Sequence, residues 1–149
     1  MIRKKWIDEI VTTLVKRHDS RNPYTIAEEK NILFLNENLG NIYGYYNKVN
    51  RIQFIHINQN MPPQRQFFTC CHELGHCFLH PDENTPMLSE ESLRSEVIIE
   101  AEANYFAAKL ILDGSHLEEN INDIYTLLNF YGLPLEVERI AMQILNETN

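Results

Sequence analysis

The sequence predicts an α+β fold in which a small three-stranded sheet packs on a core of helices, with more helices towards the C-terminus. Three observations support this prediction. Apolar residues recur at helical spacing over residues 2–18. Three short runs rich in β-branched and aromatic residues then follow, separated by Asn-rich turns. Two long helix-compatible segments come after these runs. At 149 residues the chain is long enough to bury a real core, so we expect one domain over residues 1–149.

The predicted domain divides into three parts along the chain, which are residues 1–60, 61–114 and 115–149. The first part holds two helices and the sheet. Its first helix covers residues 2–18, and its second begins at Pro23 and reaches about Lys30. The predicted strands cover residues 32–35, 42–46 and 52–57. The edge of this sheet could pair with an extended substrate through main-chain hydrogen bonds.

The C-terminal part is predicted to hold two helices around the turn Tyr131-Gly132-Leu133-Pro134. Helix, glycine turn and helix are typical of a helix-turn-helix unit. The acidic residues Glu118, Glu119, Glu136 and Glu138 favour packing or substrate docking over the reading of DNA. Before this part, residues 81–94 form a predicted loop long enough to gate a cleft.

The sequence His72-Glu73-Leu74-Gly75-His76 is an H-E-x-x-H motif and carries the strongest functional signal of the chain. On a helix the two histidines lie one turn apart on the same face, where both imidazoles can bind one metal ion. Glu73 lies beside them and could accept a proton from a water activated there. Pro62-Pro63 offers a helix start and Pro81 a helix stop, so the motif has helical flanks. The simpler alternative is an amphipathic helix that binds no metal.

A catalytic zinc (Zn2+) site usually needs a third protein ligand, and the predicted helix over residues 95–112 offers Glu96, Glu100 and Glu102. We expect Gly114 to cap this helix. Glu100 shares a face with Asn104, which could hydrogen-bond a ligand histidine and fix its tautomer. The spacing therefore favours Glu100 over Glu102 and Glu96 as the ligand. Glu102 is expected to meet solvent or Lys109.

His80 is an alternative ligand that the spacing argues against. It lies two turns beyond His72, too far for one zinc ion to bind both residues. A third histidine six residues after His76 would stand at position 82, which is Asp82. We expect His80, near the helix C-terminus, to interact favourably with the helix dipole, or to donate a hydrogen bond to a ligand residue on the side away from the metal.

Taken in order, these residues resemble the ImmA/IrrE zinc metallopeptidases, and the resemblance spans most of the chain. One departure is the end of the predicted helix over residues 95–112. It reads Leu110-Ile111-Leu112-Asp113-Gly114 where many members have a Leu-Met-Pro-like end. The matching features are Gly44, the strand-like residues 52–58, Phe67-Phe68-Thr69, the motif itself, Leu79-His80 and the pattern Glu100-x-x-Ala103-Asn104-x-Phe106-Ala107-Ala108-x-Leu110.

The resemblance implies a zincin-type helical core, with His72, His76 and Glu100 as zinc ligands and Glu73 as the general base. It also implies a substrate, since members cleave, or promote cleavage of, helix-turn-helix repressors encoded nearby and so derepress genes. An alternative is a non-hydrolytic, metal-containing module that only binds a repressor. Manganese or iron in place of zinc stays open. An oxyanion donor is also required, and the candidates are Tyr105, His56, His80, Tyr43, Tyr45 and Tyr46.

Composition restricts the other functional classes. The net charge is −8 and no basic block occurs, which argues against direct nucleic-acid binding and is compatible with a basic protein partner. The apolar runs are too short for a membrane span. The basic N-terminus acquires acidic residues at once, so it does not read as a signal peptide. We therefore expect a cytoplasmic protein.

The cysteines also agree with a cytoplasmic protein. Cys70, Cys71 and Cys77 are the three cysteines of the chain, and all lie in the motif helix. Neighbours on one helix cannot build a disulfide framework, so we expect buried packing thiols. A redox-sensing role for these thiols is a weaker alternative.

Overall fold

The computed structural model describes residues 1–147, so the last two residues of the predicted part 115–149 lie outside the described residues. The predicted α+β class is confirmed: the described residues form six α-helices and one three-stranded sheet. Three short 3-10 helices lie between the later elements. The elements are α1 (Lys4–His18), α2 (Pro23–Glu29), β1 (Leu33–Glu37), β2 (Gly44–Val49), β3 (Ile52–Asn58), α3 (Pro63–Leu79), α4 (Ile98–Ile111), α5 (Ile124–Tyr131) and α6 (Glu138–Glu147).

The first two helices form where the sequence places them. Ile7, Val11 and Leu14 are buried along one face of α1, as their helical spacing requires. In α2, Pro23 occupies the first turn, and the side chain of Asn22 accepts a hydrogen bond from the backbone N–H of Tyr24.

The sheet is mixed, with strand order β1-β3-β2. β1 runs parallel to β3, and β2 runs antiparallel to β3 through a two-residue turn. Asn50 and Arg51 in that turn both have positive φ, which matches the right-handed twist of a tight hairpin. β2 begins at Gly44 and ends at Val49, so it lies later than the predicted strand over 42–46.

α3 packs between the sheet and α4. Every residue from Phe68 to Cys77 is buried, because this helix contacts β2 and β3 as well as α4. Two glycines allow the close approach. A Cβ at Gly44 would collide with the carbonyl of His56 and with Thr69, and one at Gly75 would lie 3.1 Å from the ring of Phe106. The motif therefore sits at the centre of the molecule.

α4 packs mainly against α3, α1 and α6. It is consequently buried on most of its circumference. The prediction that Gly114 caps this helix is wrong, because the helix ends at Ile111 with Leu112 as its C-cap. Gly114 instead adopts a left-handed conformation, with φ 88°, and leads into the short 3-10 helix Ser115–Leu117.

The two predicted C-terminal helices are α5 and α6, separated by Gly132 in the left-handed conformation. Asp123 caps α5 by accepting a hydrogen bond from the N–H of Thr126. Ala141 and Ile144 are the buried residues of α6, which packs on α4. None of the described helices is both long and apolar enough to cross a membrane.

Candidate metal centre

His72, Glu73 and His76 lie on α3 where it faces α4. The two imidazole rings are one helical turn apart, with centroids separated by 4.9 Å. All three side chains are fully buried. One ligand atom from each residue can be chosen so that the three atoms lie within 4.8 Å of one another, which is close enough to surround a single ion.

Glu100 comes from α4 and approaches both histidines. Its Oε1 lies 2.8 Å from Nε2 of His76, and its Oε2 lies 3.5 Å from Nε2 of His72. The two rings therefore turn the same nitrogen towards one carboxylate. Two imidazoles and one carboxylate from two packed helices form the donor set that open zinc sites use.

Several buried polar atoms at this point have no hydrogen-bond partner among the described residues. They are both carboxylate oxygens of Glu73, Nε2 of His72 and Oε2 of Glu100. Leaving such atoms unpaired costs free energy, and a cluster of them needs an explanation. A metal ion with an accompanying water would satisfy them, so the residues present fit a metal.

The surroundings shift the pKa values of the four ionisable groups in different directions. Burial raises the pKa of Glu73 to about 8. Burial acts on Glu100 in the same sense, but the nearby imidazoles of His72 and His76 outweigh it and lower its pKa to about 2. Burial lowers the pKa of His76 to about 4, which favours the neutral imidazole that metal ligation requires. Burial would also lower the pKa of His72, but Glu100 and Glu73 raise it overall.

Asn104 lies one turn after Glu100 on α4 and contacts the far side of the His72 ring. Its Oδ1 is 2.8 Å from Nδ1 of His72. Its amide nitrogen is 3.5 Å from the carbonyl oxygen of Leu93, in the 3-10 helix Ser92–Arg94. If Nδ1 of His72 donates to this amide oxygen, Nε2 is left with a free lone pair.

Known proteins with similar sequences show the family to which this chain belongs. A family described as the IrrE N-terminal-like domain matches residues 27–142. The chain is 36% identical over 138 residues to "Uncharacterized immunity region protein 2" of Bacillus phage phi105, covering 90% of this chain and 87% of that protein. It is also 36% identical over 117 residues to "Metallopeptidase ImmA" of Bacillus subtilis (strain 168), covering 77% of this chain and 68% of that protein. The chain belongs to the ImmA/IrrE metallopeptidase family.

The structure corrects the expectation for the surroundings of Glu102. This residue was expected to meet solvent or Lys109, but its side chain is fully buried and Lys109 lies 3.7 Å from Asp8 instead. The expectation failed because α4 is enclosed by other helices and has no solvent face at this point. Burial would raise the pKa of Glu102, but hydrogen bonds from Arg3 and His80 lower it to about 2.

His80 connects Glu102 to the metal centre. Its Nε2 lies 2.9 Å from Oε1 of Glu102, and its Nδ1 lies 3.0 Å from Nδ1 of His76. The spacing of four residues after His76 was a usable signal for this contact. Nothing in the sequence indicated that Arg3, 99 residues before Glu102, would complete the cluster.

The remaining candidates lie away from the centre or are engaged elsewhere. Glu96 precedes α4 and is exposed. The hydroxyl of Tyr105 donates to Asp8, and that of Tyr46 donates to the carbonyl of Pro81. His56 lies between Glu37 and Asn47 and stacks on Tyr45. Tyr43 lies beneath the guanidinium of Arg65. These contacts do not single out an oxyanion donor.

The segment over residues 81–94, predicted to gate a cleft, contacts the outer edge of β2. Leu88 is fully buried and exchanges two backbone hydrogen bonds with Tyr43 and Gly44. Leu93, in the same segment, lines a cavity of about 820 Å³ together with Asn104 and residues of α6. The segment thus joins the strand edge to the surroundings of His72.

The cysteines are buried and reduced, as predicted. All three are free thiols with little or no exposed surface. Burial raises the pKa of each one, which suppresses the reactive thiolate. These properties favour packing over redox sensing.

Proposed function

We propose that this chain is a zinc-dependent endopeptidase that cleaves a helix-turn-helix transcriptional repressor and so derepresses genes. The observation that carries the proposal is the convergence of His72, His76 and Glu100 next to the unpaired carboxylate of Glu73. A structural metal site has no use for a buried carboxylate without partners. A hydrolytic site does, because it needs a proton acceptor.

His72, His76 and Glu100 would hold the zinc ion through the two Nε2 atoms and one carboxylate. When bound, zinc supplies a Lewis acid that polarises a carbonyl and lowers the pKa of a water towards about 7. The two-histidine, one-carboxylate set suits zinc hydrolysis, and it also admits manganese or iron, which metal analysis would distinguish.

Glu73 would accept the proton of the attacking water and pass it to the leaving amine. Neither of its oxygens is engaged by another described residue, so both are available for these two transfers. Its pKa of about 8 lies close to neutral, where a group can both accept and return a proton. Asn104 would hold His72 in the tautomer that presents Nε2.

A repressor substrate is supported by the relatives and by charge. One relative bears the name of an immunity region protein and another that of a metallopeptidase. The net charge of −8 would attract a basic DNA-binding protein. A cytoplasmic location would bring the two together.

A non-hydrolytic repressor-binding module is the second candidate, and one observation favours it. His72, Glu73, His76 and Glu100 have no exposed surface, so a peptide bond cannot reach them in this conformation. An endopeptidase must therefore open a path to the site. A module that only binds the repressor would need no such path.

Glu73→Gln separates the two candidates, because it keeps the volume of the side chain and removes the proton acceptor. We expect the variant to bind zinc as the wild type does, while cleavage of its proposed helix-turn-helix repressor substrate falls by about 10²–10⁴-fold. Cleavage would be followed by mass spectrometry of the purified mixture, and derepression by a reporter gene in cells. Derepression at wild-type level by a Glu73→Gln chain that cleaves nothing would overturn the endopeptidase in favour of the binding module.

A further inference from the structure

The carboxylate of Glu102 is fully buried and is surrounded by hydrogen-bond donors. Its Oε2 lies 2.9 Å from both the backbone nitrogen and Nε of Arg3. Its Oε1 lies 2.7 Å from Nη2 of Arg3 and 2.9 Å from Nε2 of His80. A guanidinium and a backbone N–H can only donate. Glu102 therefore accepts from Arg3 at both oxygens, and the proton in its contact with His80 lies on Nε2 of the imidazole.

For a neutral His80, this placement fixes the remaining hydrogen bond of the cluster. In a neutral imidazole only one nitrogen carries a proton, so His80 with a protonated Nε2 has an acceptor at Nδ1. That acceptor lies 3.0 Å from Nδ1 of His76, which then donates. With its proton on Nδ1, His76 has a free lone pair on Nε2, which lies 2.8 Å from Oε1 of Glu100. Two acceptors at this distance need a cation between them, as two ligands of one metal ion would have.

We propose that Arg3, Glu102 and His80 form a positioning relay that holds His76 in the tautomer and orientation needed for metal binding. The relay rests on the proposed function only in assuming that His76 is a metal ligand. None of its three members would touch the metal or the substrate. Hydrogen bonds behind a ligand histidine raise its basicity and fix its ring, and their loss typically weakens metal binding by 10–100-fold.

The relay connects the beginning of the chain to its catalytic core. Arg3 precedes α1, Glu102 lies on α4, and His80 is the C-cap of α3. The guanidinium of Arg3 is partly exposed and stacks 4.1 Å from the ring of Trp6, whereas Glu102 is fully buried. A buried carboxylate that lost this partner would be left with an uncompensated charge, so Arg3 should influence the site from the surface.

Zinc affinity of the purified full-length chain, measured by competition with a chromophoric chelator, tests the relay. We expect His80→Phe and Glu102→Gln to weaken zinc binding by about 10–100-fold, and Arg3→Gln to weaken it less, because the His80–Glu102 bond remains. Asp8→Asn is the matched control. Asp8 also ties α1 to α4, through Tyr105 and Lys109, but it does not contact the relay. A folded His80→Phe chain with wild-type zinc affinity would refute the proposal.

The tautomers provide a second test that does not depend on variants folding. Long-range ¹H–¹⁵N NMR of wild-type chain labelled at histidine should show a proton on Nε2 of His80 with and without zinc. In the zinc-loaded chain, Nδ1 of His76 should be protonated. An unprotonated Nε2 on His80, or a wild-type chain that binds no zinc, would overturn the relay.

The relay and the proposed function can fail separately. Zinc affinity that falls in the relay variants, in a protein that cleaves no repressor, would leave the relay standing and refute the endopeptidase. Cleavage by the wild type together with unchanged zinc affinity in His80→Phe would do the opposite.

Discussion

His72 and His76 turn the same ring nitrogen towards Glu100, but the protein supports the two rings differently. Behind His72 lies the neutral amide of Asn104, whose own nitrogen is a long 3.5 Å from the carbonyl of Leu93. Behind His76 lies His80, which is backed by the Glu102 carboxylate and the Arg3 guanidinium. One support is a single neutral hydrogen bond, and the other is a chain that ends in a buried ion pair.

The difference indicates that the protein does not hold the two rings equivalently. A chain that ends in a buried ion pair restrains the orientation and tautomer of His76 through more contacts than the single amide that restrains those of His72. The support of His76 also comes from its own helix, α3, whereas that of His72 comes from α4. We therefore expect His72 to respond to movements between the helices, and His76 to changes in charge at the surface end of the relay.

The largest effect is expected where the two supports meet, at Glu100. Glu100→Ala removes the carboxylate that both rings face, so its zinc affinity should fall beyond the 10–100-fold typical of residues behind the ligands. Elemental mass spectrometry should find about one zinc per wild-type chain and almost none in this variant. Glu96→Ala, at an exposed position before α4, is the control and should keep the metal. Retention of zinc in Glu100→Ala would remove this residue from the ligand set.

An intermediate effect should distinguish the two supports directly. Asn104→Leu keeps the approximate volume and removes one neutral hydrogen bond, whereas His80→Phe keeps a ring and breaks the link to the ion pair. Both should weaken zinc binding, and the loss in His80→Phe should be the greater within the 10–100-fold range. Chelator competition at fixed pH, with circular dichroism to verify folding, measures both. Equal losses would show that the charge behind His80 adds nothing.

The sequence was sufficient to predict the parts of the site that lie within one helix or have a local signal. The spacing of His72 and His76 indicated the motif, and the shared face of Glu100 and Asn104 indicated which side chains would approach them. The strands and helices were predicted to within a few residues, since their boundaries carry prolines, asparagines and apolar periodicity. The roles of these residues stay predictions until metal and activity are measured.

The rest depended on packing that no local pattern encodes. Glu102 was expected to meet solvent or Lys109 because, at roughly 100° per residue, it points away from the helix face that carries Glu100 and Asn104. The structure encloses α4 with α1, α3 and α6, so that a second carboxylate is buried with its own partners. Arg3 reaches it across 99 residues of sequence. Glu102→Ala is therefore not a harmless control: under the proposed relay, we expect it to weaken zinc binding as Glu102→Gln does.

The smallest expected effect concerns salt, and it tests whether the relay reaches the surface. Arg3 is partly exposed, so its attraction for Glu102 is open to screening, and the Debye length falls to about 3 Å at 1 M salt. The difference in zinc affinity between wild type and Arg3→Gln should therefore shrink as salt rises. The contact between His80 and Glu102 is buried, so the loss in His80→Phe should change little over the same range. Chelator competition at low and high concentrations of a non-coordinating salt measures both. If the Arg3→Gln and His80→Phe losses shrink together, Arg3 is not the surface end of this relay, and the asymmetry between the two histidines has another source.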